Sequence, residues 1–177
     1  MRDADNQQER LETGIGHYLA GFADGEGCFH IAIQRRKDLP LGWQLIPEFH
    51  VSQHSEKPFL LQKFEQHLGC GYIKANHPKS TRDKTNVYVV RNKRDLIEKV
   101  IPFFNSYPIL SEKKRDFEKF KRILEEMERK EHLKKEGFER LVKLAFSMYG
   151  NGRYRRYHPD EILKTLESSE TVRQNRM

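Results

Sequence analysis

The sequence predicts an α+β fold in which helices cover one face of an antiparallel sheet. Its element order is helix, two strands, helix, two strands, helix, followed by further helices. Three observations predict it. Two pairs of segments, 28–36 with 43–53 and 72–76 with 85–91, read as strands, and the first pair carries the two-residue alternation of half-buried strands. Apolar stripes of helical period separate the pairs. The polar strand positions are rich in Gln, Arg, His, Lys and Asn, so one sheet face is left open rather than buried on both sides.

Each element follows from local pattern. Residues 1–12 are polar and read as a flexible lead. Thr13 is the expected N-cap of a first helix that ends near Asp24. Gly14 and Gly16 weaken that helix by propensity, so packing must hold it. Ile15, Tyr18, Leu19 and Phe22 form an apolar stripe expected to face the core. His17, Ala20, Gly21 and Asp24 form a second stripe of little bulk, suited to close approach by another helix. In the first strand Phe29, Ile31 and Ile33 alternate with Cys28, His30, Ala32, Gln34 and Arg36. In the second, Leu45, Phe49 and Val51 face inward, and Ile46, Glu48, His50 and Ser52 outward.

A helix over 56–68 directs Phe59, Leu60, Phe64 and Leu68 inward and stops at Gly69-Cys70-Gly71. The second strand pair is joined by a basic link over 77–84. Helices follow over 95–104, 111–129 and 138–149. The long one buries Phe117, Phe120, Ile123, Leu124 and Met127. A basic loop at 150–158, a short helix near Asp160 and a disordered tail over 168–177 complete the chain. The organisation is thus a core over 13–128 and a helical extension with a basic loop over 129–167.

Charge narrows the partners. Thirty-three Lys and Arg against 26 Asp and Glu give a formal net charge of +7, which favours a polyanion. No apolar run approaches the roughly 18 residues of a membrane span, so nucleic acid leads and no membrane role is expected. Cys28 and Cys70 are too few for a disulfide framework, and the polar, partly acidic start is no signal peptide. An intracellular reducing compartment is expected, cytoplasm or organellar matrix, not secretion. The eight histidines show no zinc spacing.

The sharpest feature is Leu19-Ala20-Gly21-Phe22-Ala23-Asp24-Gly25-Glu26-Gly27. Two carboxylates sit at the C-terminal end of a helix, where the dipole disfavours negative charge. Such an end calls for a nearby cation, and a divalent metal is the obvious one.

This stretch resembles the motif of the LAGLIDADG homing endonucleases. Leu19-Ala20-Gly21 and Asp24 match the family name letter for letter, Phe22 and Ala23 are apolar stand-ins, and Gly25-Glu26-Gly27 corresponds to its last three letters. The αββαββα order over 13–128 fits the family, as do Phe49-His50-Val51-Ser52-Gln53, the segment Leu110 to Phe117 with its lysines, and the basic loop at 150–157.

The resemblance implies a saddle-shaped DNA-binding sheet and metal-dependent hydrolysis of both strands of a long, nearly palindromic DNA site. It also implies an origin in a mobile intron. One motif implies a homodimer, with His17, Ala20 and Gly21 at the interface of paired first helices. The implied ion is Mg2+, with Mn2+ or Ca2+ able to substitute for binding. Glu26 is the metal-binding carboxylate and the Gly25 carbonyl a second ligand. Asp24 is divided between a metal role and bonding backbone amides.

Gln53 would position solvent, Lys57 neutralise phosphate, and Lys113 tune the nucleophile, with Lys114 in that role if the register slips by one. Gln34, Arg35, Arg36, His50, Lys74, Asn76, Asn86 and Tyr88 are the expected DNA contacts of the sheet and its loops. Arg153, Arg155 and Arg156 are the expected phosphate contacts. Two other readings remain: an intron RNA-binding splicing factor of the same fold, and a DNA-binding regulator that has lost cleavage. The intact acid together with Gln53 and Lys113 favours the endonuclease.

Overall fold

The computed structural model describes residues 2–54, 58–80, 82–148 and 155–174. The chain order is α1 (Arg2–Glu26), β1 (Gly27–Arg35), β2 (Trp43–His54), α2 (Phe59–Leu68), β3 (Tyr72–Ala75) and β4 (Thr85–Val90). Then come α3 (Lys93–Asp95), a π-type turn (Leu96–Val100), α4 (Ile101–Ser106), α5 (Lys113–Glu128), a 3-10 turn (Glu131–Leu133), α6 (Lys135–Phe146) and α7 (Pro159–Gln174). The four strands form one sheet in the order β1-β2-β4-β3. The chain divides into two compact units, one from 1–29 and 48–117, the other from 30–47 and 118–177.

In the first unit, α1 corrects the sequence reading twice. It is a continuous 25-residue helix from Arg2, so Thr13 lies inside it rather than capping it. Its inward face mixes the two predicted stripes. Gly16, Leu19, Ala20 and Ala23 are buried, whereas Leu11 is 64%, Ile15 39% and Tyr18 62% exposed. The reason is steric: a Cβ on Gly16 would lie 2.3 Å from the Tyr107 ring. Close packing therefore turns Gly16, Ala20 and Ala23 inward together with Leu19, and leaves Ile15 and Tyr18 of the bulky apolar stripe outward. Ala20, expected at a dimer interface, belongs to the monomer core.

The rest of this core is aromatic. Phe29 lies 5.2 Å from Phe49 and 5.1 Å from both Phe104 and Phe117, ring centre to ring centre. Helix α2 buries Leu60, Leu61, Phe64 and Leu68 and leaves Phe59 exposed, against expectation. Gly69, at φ 58, ends it in the left-handed conformation that glycine adopts without strain. The helical stretch 93–106 starts where the Asn92 side chain accepts from the Arg94 and Asp95 amides. It widens to a π-type turn in which the Ile101 amide bonds the Leu96 carbonyl. Pro102, next in the chain, has no amide to continue a regular ladder.

Strand register decides which side chains share the open face. His50 pairs with Val89 and Val89 with Tyr72; Ser52 pairs with Val87 and Val87 with Lys74. Directly opposite residues point to the same side of a sheet. Glu48, one step beyond the Phe49–Val90 pair, stands opposite Arg91. The other face carries Phe49, Val51 and Gln53 with Val90, Tyr88 and Asn86. Asn86 and Tyr88 are therefore not on the face expected for DNA contact. Tyr88 is fully buried, and its hydroxyl donates to the Cys70 carbonyl at 2.7 Å.

In the second unit, the Arg36 amide bonds the Gly42 carbonyl at 2.7 Å and closes the β1–β2 hairpin. The Trp43 indole donates to Thr165 Oγ1 at 2.7 Å, and its ring meets Tyr157 edge-on at 4.9 Å. Phe120, Ile123, Leu124, Phe138, Leu141, Val142, Ile162 and Leu166 are buried. Helix α7 continues to Gln174, so residues 168–174 of the tail expected to be disordered are helical, and 175–177 lie outside the described residues. The buried Glu126 is satisfied by Arg122 and Arg140.

Candidate active site and nucleic-acid interface

Helix α1 ends at Glu26, whose side chain is exposed. The three carboxylate and lysine candidates around this end have different surroundings. Asp24 Oδ2 accepts the Leu110 and Ser111 amides at 3.1 and 3.0 Å, and its Oδ1 accepts the Ser111 hydroxyl. Its burial is outweighed by these bonds and by Lys113, so its carboxyl lies below the usual range. Asp24 thus anchors the segment that leads into α5. The Lys113 amine donates to the Ala23 carbonyl at 3.0 Å and the Gly25 carbonyl at 3.2 Å. Burial holds that amine below the usual lysine range, against the pull of Asp24, Cys28 and Glu26. Lys114 is exposed, which places Lys113 and not its neighbour at the helix end.

Gln53, at the end of β2, accepts the Leu60 amide through Oε1 at 3.2 Å. It ties β2 to the first turn of α2. Lys57 lies outside the described residues. His17 is exposed, edge-on to Tyr107 at 5.0 Å. Gly21 and Gly25 lie on the outward face of α1, and a Cβ at either would meet nothing within 4 Å.

The open face of the first unit is a connected polar network. His50 Nδ1 lies 3.1 Å from Glu48 Oε1, and Glu48 Oε2 accepts from Arg91 Nε. Burial lowers the His50 pKa, but hydrogen bonds to Cys28 and Glu48 override it and push the imidazole up to about 9. Burial raises the Glu48 pKa, but His50 and Arg91 bring it down to about 2. Lys74 and Asn76 are exposed on and just after β3. Glu48 and Arg91 are functional candidates that the sequence reading passed over.

The second unit has its own basic cleft. A cavity of about 470 Å³ is lined by His30, Gln34, Arg35, Arg156, Tyr157 and Phe146, among others. Arg35 lies over the Trp43 ring at 5.9 Å, and Arg156 over Tyr157 at 5.5 Å. Two expected DNA contacts are engaged internally. Arg36 donates to Asp38 at 2.9 and 2.7 Å and to Gln44 at 2.9 Å, clipping the hairpin turn. Arg155 donates to the Ile31 carbonyl and, at 2.8 Å, to the Ala145 carbonyl, with its guanidinium over Phe146. That corrects its assignment to phosphate: the side chain satisfies backbone oxygens inside the unit. Arg153 lies outside the described residues.

The architecture is that of solved homing endonucleases. The archaeal intron-encoded I-Vdi141I, complexed with DNA, is 32% identical with a TM-score of 0.78, over 92% of this chain and 99% of that one. The homing endonuclease I-TnaI is 34% identical with a TM-score of 0.73, over 87% and 97%. The family model described as LAGLIDADG endonuclease matches residues 19–124. The chain belongs to the LAGLIDADG endonuclease family. It is also similar to the probable intron-encoded endonuclease 3 of Neurospora crassa, 36% identical over 73% of this chain and 24% of the relative. It is similar as well to the DNA endonuclease I-CeuI of Chlamydomonas moewusii, 28% identical over 89% and 71%. The chain spans only about a quarter of the length of the Neurospora relative.

Proposed function

We propose that this chain is a site-specific DNA endonuclease that acts as a homodimer and hydrolyses one phosphodiester of each strand in a nearly palindromic site. The observation that carries the reading is the end of α1: an exposed Glu26 carboxylate, with the half-buried Lys113 amine on the flanking Ala23 and Gly25 carbonyls. The similarity to the DNA endonuclease I-CeuI, and the DNA in the I-Vdi141I complex, support the substrate.

The donor set fits a hard cation. Glu26 offers a carboxylate and Gly25 a carbonyl, both oxygen ligands of the kind magnesium takes with water and phosphate oxygens. Asp24 is instead committed to the Leu110 and Ser111 donors, whereas the Gly25 carbonyl has a second lone pair beside the one that accepts from Lys113. Among the described residues no three His, Cys, Asp or Glu side chains cluster to hold a metal. The site as proposed is completed by DNA phosphate and by a second copy of the chain. A bound magnesium would supply Lewis-acid polarisation and an acidified water. Lys113 adds positive charge beside the reacting phosphate and holds the carbonyls at the helix end.

Dimerisation rests on the outward face of α1. Leu11, Ile15 and Tyr18 are exposed there, and Gly14 and Gly21 leave open space between them. Large apolar residues beside glycines allow two helices to pack closely. In the second unit, Arg35 and Arg156 supply charge for the DNA backbone, which contributes salt-dependent affinity without sequence information.

The test uses a plasmid library carrying randomised near-palindromic inserts. The protein cuts a subset of inserts in Mg2+ and none in EDTA. Glu26→Gln binds the same inserts in Ca2+ without cutting. Near wild-type nicking by Glu26→Gln in Mg2+ rejects the assignment.

A further inference from the structure

An acid on a surface that faces DNA is unfavourable unless something local requires it. Glu48 is such an acid. It sits on the open sheet face, its side chain only 13% exposed, while that of its partner Arg91 is 50% exposed. Its two oxygens are divided, Oε1 to His50 and Oε2 to Arg91. One network therefore joins Glu48 and His50 on β2 to Arg91 just beyond β4, all within the first unit.

We propose that Arg91 reads a guanine in the major groove of the target DNA, and that Glu48 is the positioning residue that aims its guanidinium. The proposal rests on the endonuclease reading above. The guanidinium carries five N–H donors in a fixed plane. Glu48 takes the Nε–H, so the remaining donors project from a fork held at its base and no longer free to rotate. A planar pair of donors matches the O6 and N7 acceptors of guanine.

The alternative is a phosphate contact. Phosphate needs charge rather than a fixed plane, and mobile surface lysines and arginines supply it. Arg91 also follows β4, an inner strand of the sheet, and inner strands lie farther from the sheet edges than either β1 or β3. The buried, doubly bonded Glu48 makes sense as an orienting group. With His50 and Arg91 both on it, the cluster carries net positive charge and does not repel DNA.

The experiment selects a randomised duplex library with the full chain in Ca2+ and sequences what is bound. Wild type enriches guanine at a position in each half-site. Arg91→Ala and Arg91→Lys lose about tenfold of that preference at that position alone, with the rest of the motif unchanged. Arg91→Lys keeps charge and bulk, so it reports even if Arg91→Ala folds poorly. Glu48→Gln weakens the same position, to a smaller extent. An Arg91→Lys motif identical to wild type overturns the role, as does a uniform loss of affinity across all sequences. A wild-type protein that enriches no motif overturns the site-specific endonuclease reading, and this role with it.

Discussion

The Lys113 amine closes the C-terminal end of α1, donating to the Ala23 carbonyl at 3.0 Å and the Gly25 carbonyl at 3.2 Å. A cation there complements the helix dipole and sits beside the Glu26 backbone. Lys113→Met removes both bonds and the charge. Single-turnover cleavage should slow by roughly 100-fold or more, and stability should fall by about 1–2 kcal/mol. Lys114→Met, at an exposed position, should leave both nearly unchanged. Equal effects at the two lysines would show that the charge acts only through the general surface field.

Asp24 lies within the family motif, yet its oxygens hold Leu110 and Ser111. Asp24→Asn leaves one acceptor oxygen and turns an amide group toward backbone donors. A loss of about 1 kcal/mol is expected, as for a damaged helix cap, measured by urea denaturation. The midpoint of the magnesium dependence of cleavage should stay near wild type. A large shift in that midpoint, at unchanged stability, would return Asp24 to the metal.

The outward face of α1 predicts a separable dimer. Tyr18 is largely exposed, and Gly21 has open space around it. Tyr18→Glu or Gly21→Leu should leave the monomer fold intact, since neither position packs in the core. Either should raise the dimer dissociation constant by about 100-fold, roughly 2.7 kcal/mol. Sedimentation velocity with circular dichroism reads both quantities. A variant that stays dimeric places the interface elsewhere.

His50 and Glu48 give stability a definite pH profile. The folded His50 pKa of about 9 lies above its ordinary 6.5, so its contribution is full below 6.5 and is lost as pH rises through 9. The folded Glu48 pKa of about 2 lies below its ordinary 4.5. Its contribution is full above 4.5 and is lost as pH falls through 2. The pair is therefore strongest between pH 4.5 and 6.5. Unfolding free energy should decline by something on the order of 1–2 kcal/mol from pH 6.5 to 9. His50→Gln should flatten that limb. An unchanged slope in the variant would assign the decline to other groups.

The sequence shows where packing follows periodicity and fails where it inverts or vanishes. The α5 stripe Phe117, Phe120, Ile123, Leu124 and Met127 is buried as expected, because a helix with one apolar face has one way to sit. Leu45, Phe49 and Val51 were legible in β2 for the same reason. The run Val87-Tyr88-Val89-Val90 is apolar on both sides, so alternation carries no parity, and Asn86 and Tyr88 fell on the wrong face. On α1 the usual rule reverses. Tyr107 demands a glycine beneath it, so Ile15 and Tyr18 face outward while Ala20 joins Leu19 inward. At the candidate site, Glu26 is legible in the motif and Lys113 in the segment from Leu110 to Phe117, and the structure brings the Lys113 amine to the end of α1. The partners of Asp24, Gln53 and Arg91 were not legible, because they come from distant parts of the chain.

The basic loop illustrates how a charge run can hide two kinds of arginine, and it yields a final prediction. Arg155 donates to the Ile31 and Ala145 carbonyls and covers Phe146, whereas Arg156 is exposed over Tyr157. Losing Arg155 removes a donor from the Ile31 and Ala145 carbonyls, of which Ala145 keeps the Met148 amide, and uncovers an aromatic ring. Arg155→Ala should therefore cost about 2–3 kcal/mol of stability. Its salt dependence of DNA binding should barely change among molecules that remain folded. Arg156→Ala should do the reverse. Stability should hold, while affinity for matched and random DNA falls together, and the log–log salt slope flattens by about one unit, as for one lost phosphate contact. Arg155→Ala showing the flattened slope at full stability would mean that this guanidinium leaves the carbonyls to meet DNA, and the internal role would be wrong.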